Sequence, residues 1–280
     1  MTASGNPGMF HTHPIESLDL PELAPYRTMK RPVEHETQGI FVAEGDKVVH
    51  RLLASEFPVV SVLLPDKRLA EFAPLLETRP ENIPVYLVSN KHVLESLVGF
   101  ALFQGVMAVG KIPTPGSLAD ALAHSVSPRL FMAVDALTNS ENLGVLVRNC
   151  VAFGTQALFV GETCASPFLR RAVRNSMGGI FQLPVVESAN LAGTLRELRA
   201  RGVRCLAAHP HANGRRITQV DFTGDCCIVV GSEGHGLSPV VLEACDEAVA
   251  IPMALNVDSL NVGNASAVFL YETCRQRGQM

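Results

Sequence analysis

Asn142 and Arg148 stand in the run NLGVLVRNCVAFG, where Leu143, Leu146 and Val147 take the packing positions of a helix. Asn142 fits the helix start, where its side-chain oxygen would accept from a backbone N–H, and Gly154 fits the far end. Arg148 lies about a turn and two-thirds along and needs an acidic or phosphate partner. A structural salt bridge or a bound phosphate each answers that need. A second loop, GSEGHGLS at 231–238, has three glycines in six positions, so its backbone can turn tightly and approach a ligand. Glu233 inside it reads either as an exposed turn residue or as a functional one. Ser238 and Pro239 suit the start of the helix that follows. A third loop, NVDSLNVGNASAVFLYE at 256–272, offers Ser259, Asn261, Asn264 and Ser266, more amide and hydroxyl groups than one helix start can use. Ser259 and Asn261 are two apart, so on extended backbone they point the same way and can converge on one ligand.

These loops need strands and helices to hold them. After a break at KIPTPGS (111–117), apolar runs at 130–135, 156–161, 181–186, 203–209, 226–231 and 247–252 read as strands. Helix-like pieces lie between them: 142–154, 166–178, 190–202, 238–246 and 264–278. Unbroken apolar strands alternating with helices predict an α/β fold whose parallel sheet is covered on both faces, with ligands at the carboxyl ends of its strands. Residues 39–111 alternate in the same manner over a shorter length and predict a smaller α/β domain. The expected organisation is an N-terminal extension at 1–28, a small α/β domain at 29–110, a linker at 111–128 and a second α/β domain at 129–280.

Composition bounds the function classes. Hydrophobic residues are 47% and charged residues 18% of the chain, a globular balance, and the net charge of −4 gives no global pull toward nucleic acid. Any such binding must come from a local basic patch. The seven cysteines form no CxxC pair and mostly sit in apolar runs, which predicts buried thiols in a reducing compartment, with neither disulfides nor a metal site. The first 26 residues lack the apolar core of a signal peptide, and no apolar run reaches the roughly 20 residues of a membrane span. A cytoplasmic protein without membrane association is expected. A nicotinamide-dependent oxidoreductase is disfavoured by the missing G-x-G-x-x-G and by the lack of an acidic residue closing the first parallel strand pair, and a nucleotide-triphosphate site by the missing P-loop Lys–Ser/Thr pair.

The three loops, N-x-x-G-x-x-x-R-x-x-x-x-F-G, GSEGHGLS and IPM…SLNV…A, closely resemble in order and spacing the three motifs of the SpoU-type (TrmH-like) RNA ribose 2′-O-methyltransferases of the SPOUT superfamily. The likeness covers about residues 129 to 275 and is greatest to the ribosomal-RNA enzymes, including the thiostrepton-resistance type. It implies a C-terminal SPOUT sheet with a deep trefoil knot, and an N-terminal substrate-binding domain resembling a ribosomal protein. It also implies S-adenosyl-L-methionine as cofactor, held by Gly231, Glu233, Gly234, Ile251, Pro252, Met253 and Leu260. The active-site roles it carries over fall on Asn142, Arg148, Glu233, Ser259 and Asn261. The implied partners are structured RNA, either rRNA or tRNA with rRNA favoured, and a second copy of the chain, with ASAVFLYE as the dimer face.

Methyl transfer needs the ribose 2′-oxygen in line with the methyl group and its proton drawn away. An arginine is rarely neutral, so Arg148 is expected to hold the neighbouring phosphate and stabilise the forming alkoxide, with water or a phosphate oxygen taking the proton. Asn142, Ser259 and Asn261 would orient the ribose and Arg148. Arg170, Arg171 and Arg174 on one short helix read either as a solvated face or as an RNA grip, extended by Lys30, Arg31, Lys47 and Arg51. The resemblance adds an R-x-S-x-G element at Arg174, Ser176 and Gly178. Leu255 and Asn256 depart from the glycine-rich sequence of many relatives, and LFQGVMAVG lacks a basic residue before Gly105. A non-catalytic RNA-binding or ribosome-assembly protein that kept the fold is the alternative.

Overall fold

The computed structural model describes residues 10–89, 105–210, 215–232, 234–254 and 257–279. The chain forms two compact units, one of residues 1–113 with 168–181, the other of residues 114–167 with 182–280. The unit boundary at 113 falls inside the proline-rich break. The inclusion of 168–181 in the first unit differs from the expected division, which ran the second domain unbroken from 129.

In the first unit the strands are β1 (His11–Ile15), β2 (Ile40–Glu44), β3 (Val59–Pro65), β4 (Pro84–Val88) and β5 (Met107–Lys111), and the helices α1 (Ala24–Arg27), α2 (Pro32–Gln38), α3 (Asp46–Leu53) and α4 (Leu69–Glu77). They build a mixed sheet in the order β1-β4-β3-β5-β2, with β5 antiparallel to both its neighbours. Helix α3 forms because Val48, Val49, Leu52 and Leu53 fall on one face, and that face is buried. The loose N-terminal extension expected at 1–28 is corrected from residue 11 onward. β1 pairs in parallel with β4, and Leu23 and Tyr26 are fully buried in the same core cluster as Val42, Leu63 and Met107. The Tyr26 hydroxyl lies 2.8 Å from the Ser61 hydroxyl, satisfying both buried groups.

In the second unit the strands are β6 (Leu130–Val134), β7 (Ala157–Val160), β8 (Val185–Glu187), β9 (Arg204–Ala208), β10 (Arg215–Arg216), β11 (Cys226–Val230) and β12 (Glu247–Ala250). Among the described residues they form one sheet in the order β10-β12-β9-β11-β6-β7-β8, with every pairing parallel. Every residue of β6, β7 and β11 is buried, as an apolar run without alternation requires. The helices are α5 (Leu118–Ala123), α6 (Ser140–Ala152), α8 (Leu191–Ala200), α9 (Pro239–Ala244) and α10 (Val262–Gln276); the intervening α7 (Arg170–Asn175) lies in the segment that belongs to the first unit.

Helix α5 corrects the expected linker at 111–128. Ser117 and Asp120 close a capping box at its start, each backbone N–H 3.1 Å from the other's side chain, and Ala121 joins the core of the second unit. Phe181, expected in a strand, ends a 3-10 turn at Gly179–Phe181 and packs against Phe41 and Phe57, ring centroids 5.6 and 5.4 Å away, and Phe168 packs against the same two rings at 5.8 and 6.0 Å. All seven cysteines are free. Burial pushes the thiols of Cys150 and Cys245 up to about 12, so they stay protonated and act as small apolar groups.

Candidate active site

The carboxyl ends of β9, β11 and β12 open onto a cavity of about 450 Å³, within the range of roughly 300–1,000 Å³ usual for small-molecule sites. Its apolar wall comes from Val230, Val249, Ile251, Met253, Leu260, Val262 and Phe269. Its polar wall comes from His209, Ser232, His235, Asp258 and Ser259. Beyond β12 the chain runs without regular structure, and the peptide groups of Ile251 and Met253 make no backbone-to-backbone hydrogen bond among the described residues.

The glycine loop closes on itself. Ser232 and Gly236 exchange backbone hydrogen bonds of 3.0 and 2.9 Å, and Gly236 takes φ +67°. A Cβ on Gly231 would lie 2.2 Å from the Gly236 carbonyl carbon and oxygen, so no larger residue fits there. Leu237 at the far end is buried in the core.

Helices α6 and α10 meet beside this loop. The N-cap of α6 is Asn139, whose Oδ1 accepts from the N–H groups of Glu141 (2.9 Å) and Asn142 (3.3 Å). The expectation that Asn142 caps the helix is thereby corrected: DALTNSENLG contains two candidate asparagines, and the upstream one has the extended backbone an N-cap needs. Asn142 is left to accept, through Oδ1, a 3.2 Å hydrogen bond from Asn261 Nδ2. Asn261 also caps α10, its Oδ1 accepting from Gly263 N–H at 2.9 Å. One turn further on, Val145 closes on Gly263, where an added Cβ would come within 2.7 Å of its Cγ1. Asn149 then donates to Gly263 O (2.7 Å) and Ser266 Oγ (3.1 Å). Gly154, at φ +69°, ends α6 as expected.

Arg148 follows Val145 by three positions, so it lies on the flank of the helix facing the start of α10. It is exposed and carries no ion pair among the described residues. The structural salt bridge that would have explained it is therefore not formed with any of them.

The structure brings Asn142 and Asn261 together and puts Gly231, Gly234, Ile251, Met253, Ser259 and Leu260 around the cavity. Pro252 is exposed between two lining residues and is not itself one of them. Glu233 lies outside the described residues, as do Leu255 and Asn256.

The expected basic track fares differently. Arg170 and Arg174 both pair with Glu44, the second at 3.0 Å, and Glu44 is 3% exposed at the end of β2. Arg51 donates to the Met177 carbonyl, and Arg31 pairs with Glu34 at 3.0 Å. Arg170 and Arg174 are thus structural ties first, a correction to their reading as an open RNA grip. Glu44 could not be matched to them from sequence, because it stands 126 positions before Arg170. Arg171, Lys30 and Lys47 are exposed. Ser176 is buried and donates to Val173 O at 2.8 Å, a helix-end role.

Sequence reasoning missed Asn149, Asp135 and His209. The Asn149 signal was present, seven residues after Asn142 and so on the same helix face, but an amide there has meaning only once α10 lies alongside. No group of His, Cys, Asp or Glu among the described residues could hold a metal ion, and none of the described helices is long and apolar enough to cross a membrane.

Comparison with known proteins adds the following. The SpoU rRNA methylase family matches residues 129–271. An uncharacterized tRNA/rRNA methyltransferase of Mycobacterium tuberculosis is 34% identical over 265 residues, covering 92% of this chain and 90% of the relative. The 23S rRNA (guanosine-2′-O-)-methyltransferase RlmB of Acinetobacter baylyi is 34% identical over 216 residues, covering 76% of this chain and 86% of its own. Among solved structures, the AdoMet-bound rRNA methyltransferase from Sinorhizobium meliloti shares the fold, with a TM-score of 0.81 at 22% identity over 94% of this chain and 98% of that one.

Proposed function

The chain belongs to the SpoU rRNA methylase family, and from that premise we propose that it transfers a methyl group from S-adenosyl-L-methionine to a ribose 2′-hydroxyl of structured RNA, rRNA rather than tRNA. The observation that carries this reading is the join of Asn142 to Asn261, which ties the helix bearing Arg148, exposed and without an ion pair among the described residues, to the start of α10, whose Val262 lines the cavity. The cofactor, when bound, supplies an electrophilic methyl group.

The cavity residues suit that cofactor. Ile251 and Met253 offer apolar side chains for an adenine, and their peptide groups make no backbone-to-backbone hydrogen bond among the described residues, while Gly231 and Gly234 line the cavity with backbone. Arg148 presents a permanent cation to the phosphate next to the target ribose and stabilises the alkoxide as it forms. Asn142 and Asn261, each held by the other, orient the ribose, and Ser259 is placed to meet it from the cavity side. The proton leaves to water or to a phosphate oxygen. Glu233 belongs to the same proposal through the family motif.

Three further points complete the reading. The segment after β12 forms the trefoil knot that the family likeness implies. The first unit is the RNA-binding domain, resembling a ribosomal protein. The chain works as a homodimer through α10, whose Val268 and Tyr271 are exposed, as is Val145 of α6, while Ser266, Phe269 and Leu270 are buried.

The test is methylation of total ribosomal and transfer RNA with labelled S-adenosylmethionine, followed by mapping of the product. Label on one ribose of rRNA is expected. No label in any RNA sinks the reading, and label on a base sinks its 2′-O part.

A further inference from the structure

Asp135 is an acidic residue that neither the three motifs nor the proposed chemistry uses, yet it is only 6% exposed. A carboxylate is seldom buried without a compensating partner. Its partner is the backbone: Oδ2 accepts from Ser238 N–H at 2.7 Å, 103 residues away. Ser238 precedes α9 and its own side chain makes no capping bond, so Asp135 supplies from the end of β6 the acceptor that this helix start lacks.

The turn after Asp135 is built to hold it. Asp135 N–H continues the ladder to Val230 O at 2.9 Å, and Ala136 then takes φ +52°, a conformation that costs a residue other than glycine. Two bonds brace that turn: Leu137 N–H reaches Cys164 Sγ at 3.3 Å, and the Cys164 thiol donates to Val134 O at 3.3 Å. The glycine loop is thus closed on itself and tied down at its far end. Gly231 is packed against the Gly236 backbone, and Ser238 is tied to Asp135.

We propose that Asp135 is a positioning residue for the cofactor cavity: its carboxylate fixes the far end of the 231–238 loop, and so sets the loop geometry on which S-adenosylmethionine binding depends. This rests on the cofactor reading above. Among the described residues Asp135 makes no hydrogen bond to Asn142, Asn261 or Arg148, so its loss should act on cofactor affinity and leave the rate at saturating cofactor largely intact.

The test measures S-adenosylmethionine binding to the full chain by calorimetry, together with kcat and KM for the cofactor. Asp135→Ala, which strands the Ser238 N–H, should weaken binding about tenfold or more, at least the ~1.4 kcal/mol that such a factor represents. Asp135→Asn keeps an oxygen acceptor but loses the charge that strengthens the bond, so it should recover part of the loss and bind about threefold more weakly than the wild type, with a Tm near that of the wild type. Ser238→Ala keeps the backbone donor and should bind as the wild type does. In Asp135→Ala, hydrogen exchange at the Ser238 amide should speed up while that of β11 does not. If Asp135→Ala does not fold, the Asn variant carries the decision: affinity reduced by about threefold with unchanged Tm supports the role, and affinity equal to wild type overturns it. A fall in kcat with unchanged affinity also overturns it. Wild-type protein that binds no S-adenosylmethionine would instead refute the cofactor reading itself.

Discussion

Asn261 holds two helices at once, accepting from Gly263 N–H at the head of its own helix α10 and donating across 3.2 Å to Asn142 on α6. The two duties use different atoms and can be separated. Asn261→Asp keeps an oxygen for the cap but sets a carboxylate against Asn142 Oδ1. Its melting temperature should stay near wild type, while single-turnover methylation falls by about tenfold or more as ribose orientation is lost. Asn261→Ala should add a loss of about 1 kcal/mol from the missing cap. An Asp variant as fast as the wild type would remove the pair from the mechanism.

Arg148 is exposed and forms no ion pair with the described residues, so its replacement should leave stability within about 0.5 kcal/mol of wild type. Methyl transfer should drop by roughly two orders of magnitude in Arg148→Ala, the scale on which a charge aimed at a developing oxyanion acts. Arg148→Lys should stay impaired, because an ammonium cannot grip a phosphate with two parallel donors. Near-full activity in the lysine variant would rule out the bidentate clamp.

Glu44 compensates two arginines from a nearly sealed position. Glu44→Ala leaves Arg170, 15% exposed, without its carboxylate, and the expected cost is about 3 kcal/mol. Chemical denaturation of the full chain measures it. A change below about 0.5 kcal/mol would mean that the pair is no more than a surface contact.

Asp225 gives the fold an acid limit. Burial raises its pKa, but hydrogen bonds from the Ser127 hydroxyl and from the Arg129 N–H and guanidinium outweigh it and hold the carboxyl below the usual range. A lowered folded-state pKa contributes stability above the unfolded value of about 3.9, and that stability is lost as pH falls through the folded value. Asp225→Asn should therefore be less stable than wild type at pH 7, with the gap closing below about pH 4. Melting curves across that interval decide it, and a gap that widens in acid would refute the assignment.

The parallel sheet was legible because its strands are apolar without alternation, a pattern that only double-sided burial explains. Residues 231–238 were legible because glycine spacing reports backbone approach directly, and the Gly231–Gly236 contact is such an approach. Other features depended on partners distant in sequence. HTHPI at 11–15 has little apolar character, and β1 exists because β4 offers it a free edge. Asn139 and Asn142 compete for one cap on equal chemical terms, and local backbone decides between them. Asp135 reads as a strand end until Ser238, 103 residues on, supplies its donor. The three arginines of α7 carry charge that sequence displays, whereas the carboxylate that neutralises two of them does not announce itself.

The segment 168–181 leaves the chain of the second unit between β7 and β8, spends its Phe168 and Phe181 beside Phe41 and Phe57, and returns. Neither unit is therefore an uninterrupted stretch of sequence. A recombination event at residue 113 that exchanged the first unit for a relative's would carry off half of an aromatic cluster and the carboxylate for two arginines, leaving the other half behind. The two parts of this protein are bound to evolve by matched substitution, since the junction that looks like a natural place to cut is not one.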